Sequence, residues 1–88
     1  MLIEDIEFKV NKIIFNCLKD RITYQDITKE KNLITDLYAE SMELIDIFYS
    51  IMAEFEIELD RNAISNLRYL NDIYVYVNEE VNKKVAMS

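Results

Sequence analysis

Apolar residues recur at helical spacing in three separated stretches of this 88-residue chain. In the first, Ile3, Ile6, Val10, Ile13, Ile14 and Cys17 share one side of a helical wheel, with Lys9, Asn11, Lys12 and Asn16 elsewhere, which predicts a helix from residue 3 to about 18. Cys17 lies on that stripe and reads as a small buried apolar residue rather than a reactive thiol. Phe8 and Phe15 fall off the stripe, and packing beneath the following loop is expected for both. A second helix is predicted from residue 41 to 54 or 55. One of its stripes holds Met42, Ile45, Phe48 or Tyr49, and Met52, while Leu44, Ile47 and Ile51 widen the apolar arc past a single face. So wide an arc means either burial on two sides or an exposed strip for a partner. The third stretch, from about 70 to 84, places Leu70, Ile73, Tyr74, Val77, Val81 and Val85 at helical spacing. Lys83 and Lys84 sit near its C-terminus, where cations are favourable.

The connections are less regular. Between residues 19 and 40, Ile22, Tyr24, Ile27, Leu33, Ile34 and Leu37 are scattered without a clean period among Lys, Asp, Thr, Gln and Asn. A connection of this length inside a small domain predicts an ordered loop pinned to the core, with at most a short helical turn. Residues 54–60 alternate apolar and acidic with period two, but one strand without a partner is unstable, so this segment is read as the end of the second helix and an extended loop. Residues 63–67 predict a short further helix. No repeat, low-complexity tract or linker interrupts the chain, and residues 1–88 are expected to form one all-α domain.

Composition supports a folded helical chain. Hydrophobic residues make up 51% and charged residues 31%, away from the signature of disorder. Glycine and proline are absent, which removes the usual tight β-hairpins. With one cysteine and no histidine, an internal disulfide, the common zinc sets and the commonest general base are all missing, so no metal site and no catalytic residue is expected. No apolar run is long enough to span a bilayer, and Met1-Leu2-Ile3-Glu4-Asp5 has neither a basic region nor an unbroken apolar segment, so a cytosolic location is expected. The net charge of −7 is concentrated: residues 36–60 hold eight acids and no base, whereas residues 1–35 hold six of each. That field attracts a basic protein surface and repels nucleic acid.

Ser41 stands at the head of this acidic segment, where the irregular loop becomes a helix. A serine there ordinarily caps the helix, its oxygen accepting from first-turn amides. The surrounding order Asp36-Leu37-Tyr38-Ala39-Glu40-Ser41-Met42 resembles the attachment motif of the acyl carrier protein family, approximately Asp-Leu-Gly-Ala-Asp-Ser-Leu before an acidic, apolar helix. The likeness continues through Glu54-Phe55-Glu56-Ile57-Glu58-Leu59 and on to Asp72, and Ile6-Glu7, Val10 and Lys12-Ile13-Ile14 are similar to the family's first helix.

The resemblance implies a right-handed bundle of three longer helices and one short one, with 4′-phosphopantetheine attached to Ser41. A phosphopantetheinyl transferase would donate that arm from coenzyme A, and the arm's thiol would hold an acyl group as a thioester for acyl-transfer or fatty-acid synthesis enzymes. The protein is then a bacterial, cytoplasmic carrier, expected to be a monomer, and no enzyme. Glu40, Glu43 and Asp46 would meet basic patches on those partners, with Met42 and Ile45 adding apolar contact. Ile45, Leu59 and Leu67 are either walls of an acyl pocket or ordinary core residues. The sequence departs from the family at Tyr38, where glycine is usual, at Asp60, where proline is frequent, and at Met52 and Ala53, which replace acids. The run from Asp36 to Ile47 is similar to specialised carriers that accompany type III secretion proteins in enteric bacteria, which would add secretion-associated partners. Two alternatives keep the fold: an unmodified module that binds a secretion or regulatory protein through the second helix, and a carrier of aminoacyl or peptidyl groups.

Overall fold

The computed structural model describes residues 2–87. Four helices and a turn of 3-10 helix follow in order: α1 Ile3–Leu18, the turn Tyr24–Asp26, α2 Ser41–Phe55, α3 Arg61–Asn66 and α4 Leu70–Met87. The three long helices lie where the helical periods place them. The family-like all-α bundle is therefore what the chain forms, with no strand among the described residues beyond an isolated bridge between Asn32 and Tyr69.

Cross-chain contacts fix the directions of the helices. Arg21, just past α1, reaches Glu43 in the first turn of α2, while Lys9 pairs with Glu54 in the last turn at 3.6 Å. Thus α1 and α2 are antiparallel. Tyr74 donates its hydroxyl to Asn11, and Lys84 near the end of α4 reaches the end of α2, so α4 runs alongside α2 and against α1. The core between them is built by Ile6, Val10 and Ile14 from α1, Ile47, Phe48 and Ile51 from α2, and Leu70, Ile73 and Val77 from α4.

Packing selects among the apolar positions of each stripe. On α2 the buried set is Leu44, Ile47, Phe48, Ile51 and Phe55, whereas Met42, Ile45 and Tyr49 face solvent. The reason is geometric: the buried set fills i, i+3, i+4, i+7 and i+11 and carries both phenylalanines, so it makes the wider and bulkier face. Of the two explanations for the wide arc, the exposed strip is the one realised. On α1 the core face is Ile6, Val10, Ile14 and Leu18, with Ile13 and Cys17 only partly covered and Ile3 exposed. Val85 is exposed, past the level at which Lys84 meets the end of α2. Phe15 does pack beneath the loop, its ring edge-on to Tyr24 at 5.8 Å, but Phe8 stays exposed with the Lys12 ammonium 5.5 Å from its centroid.

Residues 19–40 are pinned as expected. Leu33 N–H donates to Arg68 at 2.8 Å, Leu70 N–H to Lys31 at 3.0 Å and Asn71 N–H to Lys29 at 2.9 Å, which ties the loop to the start of α4. Ile22, Ile27, Leu33 and Leu37 are buried, so the loop closes one end of the core. Residues 57–60 lie outside any helix, with Asp60 extended, Ile57 and Leu59 buried and Glu58 outside. The short helix begins two residues earlier than the apolar pattern suggests because Asp60 caps it, accepting from Ala63 N–H at 2.8 Å. At the end of α2, with no glycine available, Glu56 takes the left-handed conformation at φ 53°.

Candidate functional site

The approach to Ser41 is organised by Asn32, a buried polar residue. Its side-chain oxygen accepts from Ile34 N–H at 2.8 Å and Thr35 N–H at 3.0 Å, and its carbonyl accepts from Asp36 and Leu37. Asp36 closes the turn by accepting from Asn32 N–H at 2.8 Å. The acid that opens the family-like motif therefore builds the loop. Ala39 N–H then donates to Leu33 at 2.9 Å and Tyr38 N–H to Ile34 at 3.2 Å. Between these anchors Tyr38 sits at φ 60°, in the region glycine occupies without steric cost, and its ring is exposed.

Ser41 is the first residue of α2 and is exposed. Its hydroxyl makes no hydrogen bond among the described residues, so the capping role usual for a serine at a helix start is not the one seen. Glu40 occupies the cap position, and the Glu43 carboxylate accepts from Glu40 N–H at 2.9 Å. A longer acidic side chain three positions on reaches back to the chain's own amide and leaves the serine oxygen free.

Glu43 is also held from outside the helix. The Arg21 guanidinium donates to one Glu43 oxygen at 2.8 Å, lies 2.8 Å from the other, and stands 3.7 Å from Glu40. The bond to Arg21, aided by the Glu40 amide, holds the Glu43 carboxyl below its ordinary range, and Glu43 in turn raises Arg21. The Glu43 side chain is 21% exposed against 74% for Glu40. Neither Arg21 nor Asn32 was among the residues predicted for the site. Partners 22 residues apart leave no local pattern, although an Asn four residues before Asp36 in a glycine-free loop is a turn signal.

Asp46 is exposed one turn beyond Met42, on a helix whose Met42, Ile45 and Tyr49 form the solvent-facing strip. Burial pushes the half-covered Cys17 thiol up, with Asp46 and Glu43 adding to the effect, so this thiol is not activated. The candidates for an acyl pocket are separated. Leu59 and Leu67 are buried, while Ile45 is half exposed on the outer face of α2. Leu59 lines an open cleft of about 500 Å³ with Tyr49, Met52 and Tyr76, rimmed by Glu58, Asp60 and Glu80; Ile45 and Leu67 are not part of its lining. Among the described residues no cluster of Cys, Asp and Glu could hold a metal ion, and no helix is long and apolar enough to cross a membrane.

No family model matches the chain. Individual relatives do. An acyl carrier protein of Buchnera aphidicola subsp. Baizongia pistaciae is 31% identical over 78 residues, covering 89% of this chain and 97% of its own length. One from Thermotoga maritima is 30% identical over 78 residues, covering 89% and 94%. A third, from Desulforapulum autotrophicum, is 29% identical over 75 residues, covering 85% and 96%. Identity at this level over nearly the whole of both chains, joined to the four-helix bundle, shows that this chain belongs to the acyl carrier protein family.

Proposed function

We propose that this chain is a carrier that holds an acyl group as a thioester on 4′-phosphopantetheine attached to Ser41, in the bacterial cytosol, and presents it to partner enzymes. The observation that carries this reading is the Ser41 hydroxyl, exposed and unengaged on the first residue of a helix. The residues fit the group. A phosphodiester on Ser41 would lie near the first-turn amides, which lack intrahelical acceptors, at the positive end of α2. Glu40 and Glu43 would oppose a second anion here, and the Arg21 guanidinium between them offsets that repulsion.

In the attachment reaction a phosphopantetheinyl transferase supplies the base and coenzyme A. The Ser41 oxygen forms a bond to the phosphorus that bears the pantetheine, the hydroxyl proton passes to the transferase, and the pyrophosphate P–O bond breaks to release adenosine 3′,5′-bisphosphate. The arm contributes the thiol that holds the acyl group. The chain itself holds the serine on a rigid helix start, with the Asn32 and Arg21 networks fixing the loop on one side and the first turn on the other. In this reading Leu59, in the cleft beside Tyr49 and Met52, shelters the acyl tail, and Leu67 supports it from the core. The departures at Tyr38, Met52 and Ala53 support a dedicated set of partners, including secretion-associated acyl transfer, over service to general fatty-acid synthesis.

Intact mass measurement after incubation with coenzyme A and a broad-specificity transferase tests the reading. The wild-type chain gains one arm and Ser41→Ala gains none. If wild type stays unmodified while a standard carrier is loaded in the same tube, the proposal fails. Loading by a general acyl carrier synthetase as efficient as for a housekeeping carrier would remove the case for dedicated partners.

A further inference from the structure

The eight acids between residues 36 and 60 suggest docking by charge, yet folding brings a base to the place where that charge would act. Arg21 grips Glu43 with both arms and stands beside Glu40, the two acids that flank Ser41. Glu43 is further committed to the Glu40 amide. A partner's lysine or arginine could engage Glu43 only by displacing a bidentate, charge-assisted pair, and Arg21 would repel its approach. What remains uncommitted around the serine is the exposed Asp46 carboxylate and a larger apolar group: Tyr38, Met42, Ile45 and Tyr49 are 66%, 75%, 48% and 64% exposed. Met42, Ile45 and Tyr49 follow i, i+3 and i+7 and so share one face of α2, while Tyr38 adds an aromatic ring on the approach side. Side chains of this kind, clustered and desolvated on contact, commonly dominate binding.

We propose that Arg21 is a specificity-determining residue: it withdraws Glu43 from basic partner groups and offsets the charge of the exposed Glu40, so that the phosphopantetheinyl transferase acting on Ser41 engages the chain chiefly through Tyr38, Met42, Ile45 and Tyr49. This rests on Ser41 being the attachment point. It predicts an unusual pairing, a carrier with net charge −7 whose docking depends little on salt.

The test follows arm transfer from coenzyme A by a broad-specificity transferase at about 0.05 and about 0.5 M salt, between which the screening length falls severalfold. Wild type, Arg21→Gln, Arg21→Lys, Met42→Ala and Tyr38→Ala are compared, each with a thermal melt. Wild-type KM should change less than about threefold with salt, since Arg21 offsets the charge of Glu40 and Glu43 and leaves Asp46 as the main charge on this face. Arg21→Gln should lower KM at low salt by roughly fivefold and make it strongly salt-dependent, with Arg21→Lys between the two. Met42→Ala and Tyr38→Ala should raise KM by roughly tenfold at both salt levels with kcat unchanged, the pattern of lost uniform binding. Both side chains are exposed, so these variants test the apolar contact without opening the core. A wild-type KM that rises more than about tenfold with salt, or an Arg21→Gln KM above wild type in a folded protein, overturns the proposal. Failure of Ser41 to gain the arm at all removes the carrier reading itself, whereas normal gain with the wrong salt and variant profile removes only this inference.

Discussion

Arg21 and Glu43, 22 residues apart in the chain, form a two-armed ion pair that joins the end of α1 to the first turn of α2. Because Arg21 holds the folded-state Glu43 carboxyl below its ordinary value, the pair's contribution is present above the unfolded carboxylate range near 4.5 and is lost as pH falls through the lower folded value. Arg21→Gln should therefore melt below wild type at pH 7, and the gap should close on acidification below that range. Thermal melts from pH 7 down to about 3 check this. A gap that persists unchanged at the acid end would mean that Arg21 acts by packing.

Tyr38 is held at φ 60° between two backbone hydrogen bonds while its ring is exposed, so nothing among the described contacts offsets the steric cost of that conformation. Tyr38→Gly should stabilise the chain by about 0.5–1 kcal/mol, the relief of a left-handed non-glycine residue less the added freedom of the unfolded chain. Urea denaturation is the measurement. Destabilisation would show that the ring packs on the loop in solution.

The extents of α1 and α2 were legible in the sequence because they depend on local periods and on the turn residues around them, whereas the start of α3 is set by the Asp60 cap, two residues ahead of its apolar pattern. The facing of α2 was not, since Leu44, Ile47 and Ile51 compete with Met42, Ile45 and Tyr49 at the same helical spacing and only packing against α1 and α4 decides between them. The position of Ser41 was legible from its neighbours, but the groups that hold the helix start were not: the Glu43 carboxylate accepts from the Glu40 amide, and its geometry depends in turn on Arg21. Long-range partners of this type carry no local signal. Lys84 is similar, for its place near the end of α4 was evident, while its contact with α2 was not.

Lys84 Nζ donates to the Phe55 carbonyl at 3.0 Å and the Glu56 carbonyl at 3.3 Å, supplying partners to the last turn of α2 from another helix. It also stands 3.7 Å from the Glu56 carboxylate. Lys84→Met keeps the aliphatic stem and removes the donor, so it should cost about 0.5–1 kcal/mol, the usual value for a cation at a helix C-terminus. Hydrogen exchange gives a sharper readout. Protection should fall in the last turn of α2, and uniform loss across the chain would contradict a local capping role.

Tyr74 is buried on α4 with its hydroxyl donating to Asn11, and burial pushes its pKa up to about 12. The folded chain thus keeps the phenol proton where the unfolded chain, near 10, gives it up. Stability should be full below pH 10 and decline between 10 and 12, by on the order of 2 kcal/mol from this residue. Tyr74→Phe loses the bond to Asn11 and should be less stable at pH 7, yet its curve should be flatter above pH 10 and approach that of wild type. Parallel curves for the two proteins at alkaline pH would show that other groups control the decline.

Ser41→Ala separates the chemical role of the serine from any structural one. Since Glu43 caps α2 and the Ser41 hydroxyl makes no hydrogen bond among the described residues, the substitution should leave stability within about 0.5 kcal/mol of wild type. A serine that capped the helix would cost about 1 kcal/mol when removed. Alanine is also the better helix former at the first position of α2, which offsets part of any small loss. Urea denaturation of the unmodified proteins decides between these outcomes. A loss of 1 kcal/mol or more would place the hydroxyl on a first-turn amide in solution, where attachment of the arm would have to break that bond. Equal stability together with complete loss of the mass gain would leave Ser41 as a residue whose contribution is its reactive oxygen alone.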